Sequence, residues 1–277
     1  MTLATPRTPR VNAARKLTRA PGRLAARRFL AEGPQAVEAA LSPAGPAARP
    51  RVYEVFGTET GLSRHADIVE AARSAGVTVT PVTDEAMKVL SETVTPQGIV
   101  AVCAVLDVSL DDVLEGSARL IAVLAEIRDP GNAGTVLRTA VAAGADAVVF
   151  AGDSVDPYNG KCVRASAGGL FHVAVVRDVT TATAIKQLRA AGLQVLAADG
   201  KGEVELDELM TGPTLDGPTA WVFGNEAHGL GEATSAAADA RVRVPIHGPV
   251  ESLNVAAAAA ICLYASAGAQ KRGKWVQ

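Results

Sequence analysis

Two neighbouring stretches near the C terminus decide the fold. Residues 219–233 read TAWVFGNEAHGLGEA, and residues 241–265 read RVRVPIHGPVESLNVAAAAAICLYA. Each begins with a short apolar segment typical of a buried strand and continues into a polar or glycine-rich loop. The second loop leads into an alanine-rich helix from Val255 onward, which either Ser252 or Asn254 can cap. Open α/β sheets hold ligands where a strand ends and a helix begins, so both loops are candidate binding sites.

Outward from these stretches, apolar segments alternate with helical patterns along most of the chain. This alternation predicts an α/β protein with a mostly parallel sheet in its C-terminal half. The sequence predicts four regions, which are a flexible basic arm, a first α/β domain, a linker and a second α/β domain, at residues 1–21, 22–106, 107–118 and 119–277.

Charge is distributed unevenly, although the net charge is only −2. Every Asp and Glu lies after residue 31, whereas eight basic residues precede Glu32. A basic segment on an acidic body favours a polyanionic partner, with a solvated tail as the alternative. The basic residues are Arg7, Arg10, Arg15, Lys16, Arg19, Arg23, Arg27 and Arg28.

Several classes of protein are disfavoured by composition. The longest apolar run, 255–265, is shorter than the roughly 20 residues of a membrane-spanning helix. Three widely spaced cysteines match no metal-binding or redox motif and indicate reduced core thiols, so we expect no metal and a cytoplasmic location. The arginine pair at 27–28 has no apolar run after it, which argues against an export signal; a transit peptide is a less favoured alternative.

Three motifs in order resemble the SpoU (TrmH-type) RNA 2′-O-methyltransferases of the SPOUT superfamily. They are EIRDPGNAGTVLRTA at 126–140, GNE with HGL at 224–230, and PI followed by ESLNVAAA at 245–258. The resemblance is dense over residues 120–265. RRFLAEG at 27–33 and TPQGIVA at 95–101 resemble, more loosely, the small ribosomal-protein-like RNA-binding domain that many family members carry.

The resemblance implies a C-terminal trefoil knot whose loops hold S-adenosylmethionine mostly on backbone groups, and a homodimer formed through that domain. An apolar helix starting near Asn254 would suit such an interface. Carried over by motif, the cofactor-binding positions are Ala197, Ala198, Phe223, Gly224, Asn225, Glu226, Ile246, Ser252, Leu253 and Asn254.

The same resemblance assigns the chemistry to Arg138, with Asn132, Glu226, Ser252 and Asn254 in support. Arg138 follows Asn132 by six residues of a predicted helix, so both are expected to face one pocket. The guanidinium of an arginine stays protonated at neutral pH and so cannot act as a general base. We therefore expect it to bind a phosphate and stabilise the developing alkoxide. Helix caps and surface ion pairs are the alternative roles for these residues.

RNA is the expected partner, with contacts from Arg27, Arg28, Lys161 and Arg164. The expected reaction is methyl transfer to a ribose 2′-hydroxyl, most readily in 23S ribosomal RNA because the two-domain layout resembles the rRNA-modifying members. Transfer RNA is the second substrate to consider. The alternatives outside this chemistry are a non-catalytic ribosome-assembly protein and a small-molecule α/β enzyme; the latter leaves the basic segment unexplained.

Overall fold

The computed structural model describes residues 3–42, 52–225 and 229–273, and the chain divides into two compact units. Unit 1 comprises residues 1–106 and 156–172, and unit 2 comprises residues 107–155 and 173–277. The division therefore differs from the predicted domains at residues 22–106 and 119–277, because residues 156–172 belong to unit 1.

The regular elements alternate along most of the described chain, as predicted. The strands are β1 Arg28–Glu32, β2 Val52–Gly57, β3 Thr78–Pro81, β4 Ile99–Ala104, β5 Asp107–Val108, β6 Leu120–Ala125, β7 Ala147–Ala151, β8 Ala174–Val179, β9 Gln194–Ala198, β10 Val204–Glu205, β11 Thr219–Phe223 and β12 Ala240–Arg243. The helices are α1 Pro9–Arg15, α2 Ala20–Ala26, α3 Pro34–Leu41, α4 Glu59–Arg64, α5 Ala66–Ser74, α6 Asp84–Leu90, α7 Leu110–Glu115, α8 Pro130–Ala143, α9 Gly160–Ala165, α10 Thr181–Ala190, α11 Leu206–Thr211, α12 Glu232–Ala237 and α13 Val255–Gly273.

Unit 1 is built on a four-stranded sheet in the order β1-β4-β2-β3. β4 pairs antiparallel with both β1 and β2, and β3 adds in parallel to β2. Pro34 occupies the first turn of α3, where its missing N–H costs nothing.

The prediction of a flexible arm over residues 1–21 is wrong. Helices α1 and α2 cover most of the basic segment, and Val11, Ala14 and Leu17 are at most 4% exposed in the unit 1 core. Their three-residue spacing places them on one side of the helical segment, with the arginines between them on the other sides. The frequent prolines and arginines had obscured this short apolar pattern.

Residues 156–172 join unit 1 through aromatic contacts and an ion pair. The ring of Phe29 on β1 lies 4.7 Å from the Tyr158 ring and 5.9 Å from the Phe171 ring, measured between centroids. The Arg164 guanidinium lies 2.9 Å from the carboxylate of Glu32. These contacts explain why the segment leaves the domain to which the sequence pattern assigned it.

Unit 2 is built on an eight-stranded sheet in the order β10-β12-β9-β11-β6-β7-β8-β5. Every neighbouring pair is parallel, which confirms the predicted mostly parallel sheet. The expected linker at 107–118 is instead part of this unit. Asp107 begins the edge strand β5, and its carboxylate accepts two hydrogen bonds from Arg177 on β8.

The last helix, α13, is attached to the sheet by buried polar contacts. The indole Nε1 of Trp221 on β11 donates to the Ser266 hydroxyl at 2.9 Å, and both residues are fully buried. Gln270 donates to the carbonyl oxygens of Arg119 and Gly217, each at 3.0 Å. Burial raises the pKa of the Cys262 thiol on this helix to about 12, so that cysteine stays protonated at neutral pH.

Neither a membrane span nor a metal cluster is found in the described part of the chain. No described helix is long and apolar enough to cross a bilayer. Among the same residues, no group of three or more His, Cys, Asp or Glu side chains is placed to hold a metal ion.

Candidate active site

A cavity of about 380 Å³ opens in unit 2 at the edge where parallel strands end. Its lining comes from the ends of β9, β11 and β12, the loops that follow them, and the first turn of α13. The described lining residues are Ala198, Asp199, Gly200, Phe223, Gly224, Asn225, Gly229, Leu230, Val242, Val244, Ile246, Ser252, Leu253, Asn254, Val255 and Ala258. The cavity is therefore where the predicted ligand-binding loops meet.

The strand register brings these loops to one level. Phe223, the last residue of β11, lies opposite Leu124 of β6 on one side and Ala198 of β9 on the other. Val242 of β12 is in turn the partner of Ala198. Because parallel strands end at the same edge, loops from distant parts of the sequence converge there.

Gly224 is required by close backbone packing beside the cavity. A Cβ atom at this position would lie 2.5 Å from the carbonyl carbon of Gly229, which is part of the main chain and cannot rotate aside. Only glycine permits this approach, so backbone N–H and C=O groups of the loop can line the cavity directly.

The first and third motifs are joined by asparagine side chains. Asn254 donates from Nδ2 to Oδ1 of Asn132 at 3.0 Å, and its own Oδ1 accepts from the backbone N–H of Ala256 at 2.9 Å. Asn254 is thus the N-terminal cap of α13, which resolves the choice left open between Ser252 and Asn254. Asp129 caps α8 in the same way through the N–H of Asn132 at 2.8 Å.

The second motif is tied to the first by Asn225. Its side-chain Nδ2 donates to the backbone carbonyl oxygen of Glu126 at 3.0 Å. The backbone carbonyl of Asn225 accepts from the backbone N–H of Gly229 at 2.8 Å. Glu126 has a φ of 58°, in the left-handed region that non-glycine residues rarely occupy. Left-handed residues of this kind are concentrated at functional sites.

Comparison with protein-family models matches both parts of the chain. Residues 119–264 match the SpoU rRNA Methylase family, and residues 8–101 match the MRM3-like substrate binding domain. The first match covers more than half of the 277 residues. The chain belongs to the SpoU rRNA methylase family.

Curated relatives in this family carry names of rRNA-modifying enzymes. The 23S rRNA (guanosine(2553)-2′-O)-methyltransferase RlmP of Bacillus subtilis (strain 168) is 34% identical over 85% of this chain and 87% of its own length. The 23S rRNA (guanosine-2′-O-)-methyltransferase RlmB of Ralstonia nicotianae is 32% identical over 73% of this chain and 81% of its own.

Solved structures show the same architecture over nearly the whole chain. An AdoMet-bound rRNA methyltransferase from Sinorhizobium meliloti superposes with a TM-score of 0.81 at 29% identity, over 96% of this chain and 97% of that one. The SpoU methyltransferase AviRb from Streptomyces viridochromogenes, in complex with AdoMet, superposes with a TM-score of 0.77 at 26% identity. That match covers 95% of this chain and 98% of AviRb. The predicted α/β family fold with an N-terminal substrate-binding domain is thereby confirmed.

The structure places eight of the ten predicted cofactor-binding residues in the lining of one cavity. They are Ala198, Phe223, Gly224, Asn225, Ile246, Ser252, Leu253 and Asn254. Ala197 is buried inside β9 and does not line the cavity. Glu226, predicted for both the cofactor and the chemistry, lies outside the described residues.

Neither Arg138 nor Asn132 is among the described residues that line the cavity. Six residues of an α-helix correspond to about 600°, so the two side chains leave α8 roughly 120° apart. Arg138 is exposed and is absent from the described lining of the cavity, and no hydrogen bond or ion pair joins its side chain to the described chain. Its guanidinium is therefore available to a partner molecule.

The four predicted RNA contacts differ in their surroundings. Arg27 and Lys161 are exposed. Arg28 is exposed too, and its guanidinium carbon lies 3.7 Å from the centre of the Tyr53 ring, which is 47% exposed. Arg164 instead forms an ion pair with the Glu32 carboxylate, which neutralises its charge within unit 1.

Sequence reasoning missed Asp199 and Gly200, which line the cavity just after β9. Their position directly after a predicted strand end was the signal that could have found them. Gly229 and Leu230 lie in the first candidate loop, and the other lining residues that the sequence did not single out are Val242, Val244, Val255 and Ala258. Apolar residues such as these carry no chemical signature, and only the folded chain shows which of them face a cavity.

Proposed function

We propose that this chain transfers a methyl group from S-adenosylmethionine to a ribose 2′-hydroxyl of 23S ribosomal RNA. The observation that carries the proposal is the cavity at which the loops of the second and third motifs meet, with the Asn254–Asn132 hydrogen bond joining the first motif to them. The curated relatives RlmP and RlmB, named for this reaction on 23S rRNA, support the choice of substrate.

The lining of the cavity suits S-adenosylmethionine, which supplies an electrophilic methyl group when bound. Phe223, Val242 and Leu253 offer apolar surface, and the close packing at Gly224 exposes backbone groups for hydrogen bonds. Asn254 and Ser252 add polar side-chain groups at the start of α13.

Arg138 is the proposed catalytic residue at the RNA. A guanidinium carries two parallel donors that match a phosphate, so Arg138 would hold the backbone next to the target ribose. The same positive charge stabilises the oxyanion that develops as the 2′-hydroxyl loses its proton. Asn132 orients the loop before α8 through its bond to Asn254, and Glu226 is proposed to support that loop.

The finer architectural proposals are a trefoil knot around the cofactor and a homodimer. In support of the knot, the strand order is β9-β11-β6, so β11 inserts between two strands that both precede it in sequence. The chain after β9 therefore passes back into the sheet instead of adding at its edge. In support of the dimer, α13 leaves Ile261 and Tyr264 41% and 53% exposed on an otherwise mostly apolar helix. A cytoplasmic location, alongside the ribosome, completes the proposal.

Methyl transfer from labelled S-adenosylmethionine to purified 23S rRNA and to total tRNA tests the proposal. We expect label in 23S rRNA, resistant to alkali at one nucleotide because a 2′-O-methyl group blocks cleavage there. Arg138→Ala should lower the rate at least a hundredfold while the affinity for S-adenosylmethionine changes less than about twofold.

The matched control is Arg64→Ala, which removes an exposed arginine from α4 of unit 1 and should leave the rate within about twofold. If the label appears in tRNA alone, tRNA is the substrate and 23S rRNA is not. Binding of RNA without any transfer would favour a non-catalytic ribosome-assembly protein.

A further inference from the structure

Asp199 is the only ionisable residue among the described residues that line the cavity. The other lining residues are glycine, apolar residues, serine and asparagine. Among the described lining residues, the Asp199 carboxylate is therefore the one formal charge, and apolar walls screen such a charge far less than water does.

The hydrogen bonds of Asp199 use one carboxylate oxygen and leave the other weakly paired. Oδ1 accepts from the backbone N–H of Lys201 at 2.9 Å. Oδ2 has a cation only at 4.0 Å, the guanidinium of Arg241, which makes its closer contact with Glu203 at 2.9 Å. The Asp199 side chain is 21% exposed, so its charge is neither fully neutralised nor fully hydrated.

The reaction changes the charge of the bound molecule. S-adenosylmethionine carries a positive sulfonium, and S-adenosylhomocysteine, left after methyl transfer, has a neutral thioether; their amino-acid and adenosine parts are the same. Asp199 lines this cavity and also a neighbouring one of about 600 Å³ that Arg241 lines. A carboxylate in the lining attracts the cationic donor more strongly than the neutral product.

The size of the cavity bounds the distance between Asp199 and a bound sulfonium. A compact cavity of about 380 Å³ is about 9 Å across, so a sulfonium anywhere inside lies within about one Debye length of Asp199. At about 9 Å and an effective dielectric constant of about 20, Coulomb's law corresponds to about a twentyfold change in affinity. The nearby Arg241 cation and salt reduce this, and we expect about fivefold.

We infer that Asp199 sets the preference of the cofactor site for the cationic methyl donor over the neutral product. The inference rests on the proposed function, since it concerns the same site. It assigns to Asp199 a role in specificity and in product release that the motifs do not contain, because the residue lies outside all three of them.

The test compares the wild-type protein with Asp199→Asn by calorimetric titration with three ligands. They are S-adenosylmethionine, S-adenosylhomocysteine and sinefungin, in which a protonated amine stands near the position of the sulfonium. Asparagine keeps an oxygen that can accept from the Lys201 N–H, so the loop is retained while the charge is lost. We expect the two cationic ligands to bind about fivefold more weakly and the neutral product to change less than twofold.

The matched control is Glu232→Gln, which removes an equal charge at the exposed start of α12, outside the cavity lining, and should leave the affinity ratio unchanged. An unchanged ratio in Asp199→Asn, or an equal loss for all three ligands, would overturn the inference and leave Asp199 as a brace of its loop. Failure of the proposed function would be distinct, because the wild-type protein would then transfer no methyl group to RNA.

Discussion

Replacing Asn254 by alanine tests how the site is held together. The substitution removes the cap on α13, worth about 1 kcal/mol, and the hydrogen bond to Asn132, worth about 0.5–1 kcal/mol at an exposed position. The expected loss is about 1.5–2 kcal/mol of the free energy of unfolding. The Ala256 N–H then has no side-chain acceptor at Asn254.

Asn254→Ser separates the two contributions. The serine hydroxyl can still accept from the Ala256 N–H, since serine caps helices about as well as asparagine. Its side chain is too short to reach Asn132, so only the second contribution is lost. We therefore expect Asn254→Ser to lose about 0.5–1 kcal/mol, clearly less than Asn254→Ala.

Urea titration followed by far-ultraviolet circular dichroism measures both variants. With a slope of about 2–3 kcal/mol/M, the alanine variant should unfold at a midpoint about 0.5–1 M lower than the wild-type protein. Equal midpoints for the serine and alanine variants would show that the cap contributes nothing. A shift below about 0.2 M for alanine would refute the reasoning for both contacts.

Two further predictions concern the loop after β9 and the surface of unit 1. Gly202→Ala should lower the free energy of unfolding by more than about 2 kcal/mol in the same titration, because its Cβ would lie 2.6 Å from the carbonyl oxygen of Arg241. Gly200→Ala is the control: a Cβ there meets open space, so the loss should be less than about 0.5 kcal/mol. Arg28→Ala and Tyr53→Ala should each weaken binding of 23S rRNA fragments about tenfold in filter-binding assays, since stacking on an aromatic ring is worth about 1–3 kcal/mol per base. If the Arg28→Ala and Tyr53→Ala variants bind the rRNA fragments as tightly as the Arg64→Ala control does, neither residue contacts RNA.

The sequence predicted the strand ends well because the strands of unit 2 are short, apolar and separated by clear loop signals. The apolar segment that opens the stretch 219–233 forms β11, Thr219–Phe223, and the loop after it lines the cavity. Strand ends in a parallel sheet share one edge, so the pattern also indicated where the site would form.

The sequence failed where an element depends on partners that are distant in the chain. The basic N-terminal segment reads as solvated because arginine and proline dominate its composition, yet Val11 and Leu17 pack into the core of unit 1. Helix α9 lies within the predicted domain 119–277, but the contacts of Phe29 with Tyr158 and Phe171 tie its segment to unit 1.

The sequence by itself determined the α/β class, the mostly parallel sheet, the family and most residues of the candidate cofactor site. The α/β class and the parallel sheet follow from local patterns, since periodicity depends on neighbours along the chain. The family and the site residues follow from the resemblance of the three motifs. Tertiary structure alone decided which loops meet at the cavity and that Asp199 is among its lining residues. Which side chains face one space depends on helix rotation and strand order, and these arise from packing between residues far apart in sequence.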